Sequence, residues 1–171
     1  MGTGFISTYL DKIDAMDNVT IVTEATGKSL VKKDDKITGV VCADRNGNEF
    51  TVTANKGVVL STGGFAANSK MVQEYNTSGK WDDLSKLMTT NRTSSSQGDG
   101  IVMAQALGAD VVDMDQIQIH PTVLQSNGAL ITEGLRGDGA ILVNQEGVRF
   151  TDEVGTRDAV SAAELAQTGG Y

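Results

Sequence analysis

The residues able to do chemistry lie in the second half of the chain. His120, the only histidine, ends the stretch Ile117-Gln118-Ile119 and precedes Pro121-Thr122. An imidazole there is either a capped turn residue or a donor to an anion or general acid, because its ordinary pKa lies close to neutrality. Glu133 and Arg136 stand three residues apart in Thr132-Glu133-Gly134-Leu135-Arg136, beside Gly137-Asp138-Gly139, and Arg157 stands next to Asp158. Such a pair is either a surface salt bridge or, where a second arginine converges on it, part of a site that grips a carboxylate in bidentate fashion.

Other candidates carry less. Gly98-Asp99-Gly100 ahead of a helix can seat a ligand or simply form a turn. Met71, Met88, Met103 and Met114 read as core filler, and Trp81 as a local anchor in a polar stretch. Cys42, the only cysteine, lies inside the apolar run 38–43 and reads as a small core hydrophobe with no intramolecular disulfide partner. One histidine and one cysteine cannot build a thiolate or multi-histidine metal site, and no EF-hand spacing is present.

The elements that must position these residues follow from periodicity. Phe5, Ile6, Tyr9, Leu10 and Ile13 predict a helix over 3–16. Strands are predicted at 19–24, 29–33, 37–44 and 49–53, with Lys33-Asp34-Asp35-Lys36 and Asn46-Gly47-Asn48 as turns, giving an antiparallel meander. Val58-Val59-Leu60 reads as a short strand buried on both faces, ending at Gly63-Gly64. A helix over 68–75, a polar surface excursion over 76–97 and a helix over 101–107 closed by Gly108 come next. Short strands are predicted at 111–114, 117–120, 140–143 and 149–150, and a last helix from Arg157 through Leu165.

The 171 residues suffice for one ordinary domain or parts of two, and 39% hydrophobic with 21% charged residues suits a globular protein. A net charge of -8 disfavours nucleic acid and anionic membrane as partners, although a local arginine cluster can still hold a small anion. No apolar run approaches the roughly 20 residues needed to cross a bilayer, so no membrane insertion by this segment is expected. No signal peptide is visible at the N-terminus. The fold class expected is mixed α/β with a candidate anion site.

Five stretches in register carry a resemblance over nearly the whole chain: Gly57 to Phe65, Gln97 to Ala104, Gln118 to Thr122, Leu130 to Gly139, and Asn144 to Phe150 continued by Thr156 to Ser161. Together they resemble the flavoprotein subunit family of fumarate reductases, especially its soluble, flavocytochrome-c-like branch. In that family hydride passes from reduced FAD to one alkene carbon of fumarate, an arginine protonates the other, and a Glu–Arg relay refills that arginine. The resemblance implies that Arg157 is the proton donor, Glu133 and Arg136 the relay, and His120 and Thr132 holders of a substrate carboxylate. The spacings of 13 residues from His120 to Glu133 and 24 from Glu133 to Arg157 match the family motif. It further implies that Thr62, Gly63, Gly64 and Asp99 contact the flavin and that Gly27 touches the adenine. Leu130 departs from the Met often found there in this branch, which bears on substrate preference.

The family's layout implies that residues 1–114 are the second part of an FAD-binding domain and 115–171 the beginning of a capping domain that clamps substrate. The N-terminal Gly-x-Gly-x-x-Gly that seats the FAD pyrophosphate is absent from this sequence, as are the C-terminal His and Arg that complete the substrate site. The sequence is therefore expected to be an internal fragment of a longer parent. FAD is expected in that parent; the fragment alone is expected to purify colourless and inactive on fumarate. The parent's expected partners are a small dicarboxylate or enoate and an electron-donor domain or protein, and its compartment stays open between cytoplasm and periplasm or cell envelope. Succinate dehydrogenase and L-aspartate oxidase are sister alternatives, and a non-catalytic assembly module is a third, which flavin absorbance would distinguish.

Overall fold

A computed structural model of the chain describes residues 2–91 and 93–169. The chain divides into two compact units, Met1–Val58 and Val59–Tyr171.

The first unit begins with α1, Gly2–Asp14, whose spacing of apolar residues favours a helix, yet no residue of it is buried. Three strands follow: β1 (Thr26–Lys33), β2 (Lys36–Ala43) and β3 (Glu49–Thr53), paired antiparallel in the order β1-β2-β3. The β1–β2 turn places Asp34 (φ 49°) and Asp35 (φ 59°) in the left-handed region, as a tight hairpin with a right-handed twist requires. At the β2–β3 turn Gly47 has φ 84°, and the Asp44 carboxylate accepts hydrogen bonds from the Asn46 and Asn48 amides at 2.8 and 2.9 Å. Gly39 allows β2 to approach β3, because a Cβ there would stand 2.5 Å from the Val52 carbonyl oxygen.

The meander has three strands, not four. Residues 19–24 form no ladder, and Ile21 and Val22 are exposed. Apolar and β-branched residues supply propensity, but a strand exists only when a neighbour takes its N–H and C=O groups. The same reason corrects the strand expected at Val58-Val59-Leu60, which pairs with no described strand and leaves Val59 89% exposed.

The second unit holds the helices that carry the site. α2 (Ser69–Tyr75) is capped by Asn68, whose Oδ1 accepts from the Met71 amide at 3.1 Å. α3 (Asp99–Gln105) follows Gly98 at φ 87°, and Gly108 closes the turn after it at φ 90°. The excursion over 76–97 is not wholly superficial: Trp81 and Leu84 are buried, and Trp81 Nε1–H donates to the Ile117 carbonyl at 3.0 Å. Met71 fills the core as expected, whereas Met88 is exposed. The predicted strands beyond 110 do not form; among the described residues single bridges join Val123 to Leu130 and Val143 to Arg149. The chain there is irregular, with side-chain hydrogen bonds in place of ladders. α4 (Glu133–Gly137) was not foreseen, since two of its five residues are glycine. α5 (Arg157–Leu165) spans the expected residues and buries Val160 and Ser161.

Candidate active site

Two short helices set the geometry, each started by a threonine whose side chain replaces a missing helical acceptor. Thr132 Oγ1 accepts from Gly134 N at 3.3 Å and Thr156 Oγ1 from Ala159 N at 3.3 Å. Glu133 and Arg157 therefore each occupy the first helical position. A carboxylate is favoured at that end of a helix and a guanidinium is not, so Arg157 needs a counter-charge.

Glu133 provides it. Arg157 donates Nε to Glu133 Oε1 at 3.1 Å and Nη2 to Oε2 at 2.7 Å, a bidentate fork, while its Nη1 donates to Gln118 Oε1 at 3.0 Å. Arg136 Nη2 donates to the same Glu133 Oε1 at 3.2 Å. One carboxylate thus joins two guanidiniums. The Arg157 hydrogen bonds chiefly, then the charges of Arg157, Arg136 and His120, pull Glu133 down to about 2, and Glu133 in turn raises Arg157. Glu133, the middle member, remains 47% exposed, so this chain of groups reaches water at its shared carboxylate.

Arg136 is the buried member. Its Nη1 donates to the Glu153 carbonyl at 2.7 Å, and its Nε has no partner among the described residues. Glu153 is buried as well; its carboxylate accepts from Arg149 Nε and Nη2 and, at 2.8 Å, from the Leu142 amide. Arg149 hydrogen bonds, followed by the Leu142 amide, hold Glu153 at about 2.

His120 is set beside this group by Thr122, whose amide donates to His120 Nδ1 at 3.3 Å. The Thr122 hydroxyl donates to the Ile131 carbonyl at 2.8 Å and the Ile131 amide to the Thr122 carbonyl at 3.0 Å, which ties the His120 segment to the start of α4. Burial first, then the Arg157 charge and more weakly Arg136, hold His120 below its ordinary 6.5 against the opposing pull of Glu133. A neutral ring whose Nδ1 accepts carries its proton on Nε2, and so donates one hydrogen bond rather than a charge. Thr132 is exposed and its hydroxyl proton remains free to donate after the cap is made. Along the inner side of the His120 segment runs a cleft of about 220 Å³ bordered by Val72, Leu84, Ile119, Ser161 and Glu164.

The expected flavin residues fall in two places. Thr62, Gly63 and Asp99 lie together, because the Thr62 side chain fills the space that a Cβ on Gly100 would occupy, on the first turn of α3. Gly63 has φ 78° and a Cβ on Gly64 would meet nothing within 4 Å, so the backbone here is open to close approach. Leu60, Ile101 and Ala104 give this groove an apolar floor. Exposed backbone polar groups beside an apolar floor fit a planar ring with a polar edge, as in FAD. Gly27 lies in the other unit, in β1 opposite Cys42.

Gln118, Arg149 and Glu153 were missed as site residues. Gln118 carried a signal, a polar residue interrupting an apolar pair, but Glu153 meets Arg136 through its carbonyl, which any residue type possesses. Among the described residues no group of histidine, cysteine and carboxylate side chains could hold a metal, and no helix is long and apolar enough to cross a membrane.

The FAD binding domain family model matches residues 1–170. The chain is 39% identical over 163 residues to NADH:fumarate oxidoreductase of Klebsiella pneumoniae (strain 342), covering 95% of this chain and 17% of that protein. It is 43% identical over 141 residues to fumarate reductase (cytochrome) of Shewanella frigidimarina, covering 81% of this chain and 24% of that protein. The open conformation of a flavocytochrome c3 fumarate reductase superposes with a TM-score of 0.66 at 36% identity, over 85% of this chain and 25% of that one. The chain thus spans a quarter or less of the length of these relatives. With the family matched from the first residue to the last but one, this chain belongs to the FAD binding domain family.

Proposed function

We propose that this chain supplies the proton-delivery side and part of the flavin seat of a full-length FAD-dependent enoate reductase acting on fumarate or a similar small dicarboxylate. The Arg157–Glu133–Arg136 chain of hydrogen bonds, whose shared carboxylate is open to water, carries this reading. Two relatives that bear the name of fumarate-reducing enzymes support the substrate class. An electron-donor domain or protein completes the system. Residues 1–114 would belong to the FAD-binding domain and 115–171 to the beginning of the substrate clamp.

FAD, when bound, supplies hydride to one alkene carbon; Thr62, Gly63, Gly64 and Asp99 would hold the flavin and Gly27 the adenine. Arg157 gives a proton to the other carbon: its N–H bond breaks as the C–H bond forms, and hydride plus proton saturate the double bond. While Arg157 is cationic, Glu133 is a very weak base. Once Arg157 is neutral, the chief cause of that weakness is gone, and Glu133 can take a proton from water and pass it on. Arg136, which donates to the same Glu133 Oε1, is the other member of that relay. His120 Nε2–H and the Thr132 hydroxyl donate to the substrate carboxylate.

Arg157→Lys in the FAD-loaded full-length protein is expected to lower fumarate turnover by about 10²–10⁴-fold, the usual contribution of a general acid, with flavin retained. Lysine keeps the charge but loses the fork that aims the donor. Glu133→Gln is expected to slow turnover as well. Turnover and thermal midpoint measured together decide the matter: a folded Arg157→Lys protein with near-normal turnover removes Arg157 from the mechanism.

A further inference from the structure

We propose that Glu153 is a positioning residue for proton delivery, holding Arg136 through its main-chain carbonyl and so fixing where Glu133 and Arg157 meet. The inference rests on the proton path proposed above and extends it to a residue outside that path.

Glu153 is 3% exposed, and both of its ends are engaged. Its carboxylate receives Arg149 Nε at 3.0 and 3.1 Å, Arg149 Nη2 at 2.6 Å and the Leu142 amide at 2.8 Å. Its carbonyl receives Arg136 Nη1 at 2.7 Å. Leu142 lies five residues beyond α4, and Glu153 four residues before α5. One side chain therefore ties the exit of the helix bearing Glu133 and Arg136 to the entrance of the helix bearing Arg157. Residues 152–155 form a turn closed by Gly155 N to Asp152 O at 3.1 Å, so the Glu153 carbonyl lies outside any helix or ladder and is free to serve Arg136.

Without the anchored carboxylate the turn keeps its internal bonds, Gly155 N to Asp152 O and Val154 N to Asp152 Oδ1, but loses the one that ties it to Leu142 beyond α4. Arg136 is buried, and its Nε already has no partner among the described residues. A buried guanidinium that also loses its Nη1 acceptor must turn toward another partner or toward water. Either movement withdraws its hydrogen bond from Glu133 Oε1, and Arg157 then meets a carboxylate held from one side only. Arg149 is the supporting residue, since its fork fits a carboxylate in a way an ammonium cannot.

Glu153→Gln in the FAD-loaded full-length protein tests this. The amide cannot accept the whole Arg149 fork and the Leu142 N–H together. The expected result is a fall in fumarate kcat of about 10- to 100-fold, the cost of about 1 Å of misplacement. KM stays within about twofold and the solvent isotope effect on kcat rises, because proton delivery and not binding is slowed. In a Glu133→Gln background the same substitution should add almost nothing, since the path it supports is already cut. Arg149→Lys, which keeps the charge, should give the same signature in weaker form and stands in if Glu153→Gln does not fold. A folded Glu153→Gln protein with lowered thermal midpoint but unchanged kcat and isotope effect overturns the proposal, as does a full additive loss in the Glu133→Gln background. Normal turnover in Glu133→Gln alone overturns the proton path and the positioning role with it.

Discussion

Glu133 and Glu164 sit on successive helices, yet their surroundings drive them to opposite protonation states. Arg157 holds Glu133 at about 2, whereas burial pushes Glu164 up to about 7 against a smaller opposing effect of Arg136. Glu164 borders the cleft beside His120 and Ser161 and makes no hydrogen bond to a described residue that would favour its charge. Its folded-state pKa lies above its ordinary 4.5, so its contribution to stability is complete below about 4.5 and is lost as pH rises through about 7. Glu164→Gln is therefore expected to exceed the wild type by less at pH 5 than at pH 8. Since Glu164 is only half-buried, solvent screening keeps the gain near 1 kcal/mol, or about 2–4 °C in thermal midpoint. An equal difference at the two pH values would remove burial as the cause. None of this was legible in the sequence, because Glu164 lies in an ordinary helical stretch and its burial depends on residues far away in the chain. Glu133, Arg136 and Arg157 were legible as residue types and spacings. That the two arginines share one carboxylate became visible only when α4 and α5 were placed.

At the scale of elements, the helix starts do the positioning. Thr156 caps α5 and makes Arg157 its first residue; Thr132 does the same for Glu133. Thr156→Ala is expected to cost about 1 kcal/mol and to fray the turn that aims Arg157, while Thr156→Ser retains the cap and most of the stability. Urea unfolding of the two variants checks this, and equal losses would show that the hydroxyl is not the source. Such signals are local, which is why the helix over Arg157–Leu165, the Asn68 start and both hairpin turns could be read from the sequence. Strands at 19–24, 58–60 and beyond 110 could not. Short apolar runs such as Val58-Val59-Leu60 satisfy strand propensity anywhere, but pairing is decided by a distant partner. Where none is present, the segment stays irregular and is held by side chains, as Thr122 and Glu153 hold theirs.

Across the whole chain, stability is distributed unevenly, and the two units differ in how they obtain it. The second unit is held by a few buried side chains, Met71, Trp81, Leu84 and Val160, and by ion pairs whose members lie far apart in sequence. In the first unit the ladders β1–β2 and β2–β3 supply the order, with β2 bonded on both sides. α1 has neither support: Phe5, Ile6 and Tyr9 are 68, 59 and 62% exposed, and none of its 13 residues is buried. A helix of that length without a packed face is marginal in water, since each bond formed barely offsets the ordering of its residue. Native-state hydrogen exchange of the chain should therefore show α1 amides exchanging at close to unprotected rates. The β2 amides, from Gly39 to Ala43, should exchange slowest within the unit, because releasing them breaks two ladders at once. Protection in α1 equal to that in β2 would mean that its apolar stripe is covered in solution, and the self-association state of the sample would then show whether a second copy covers it.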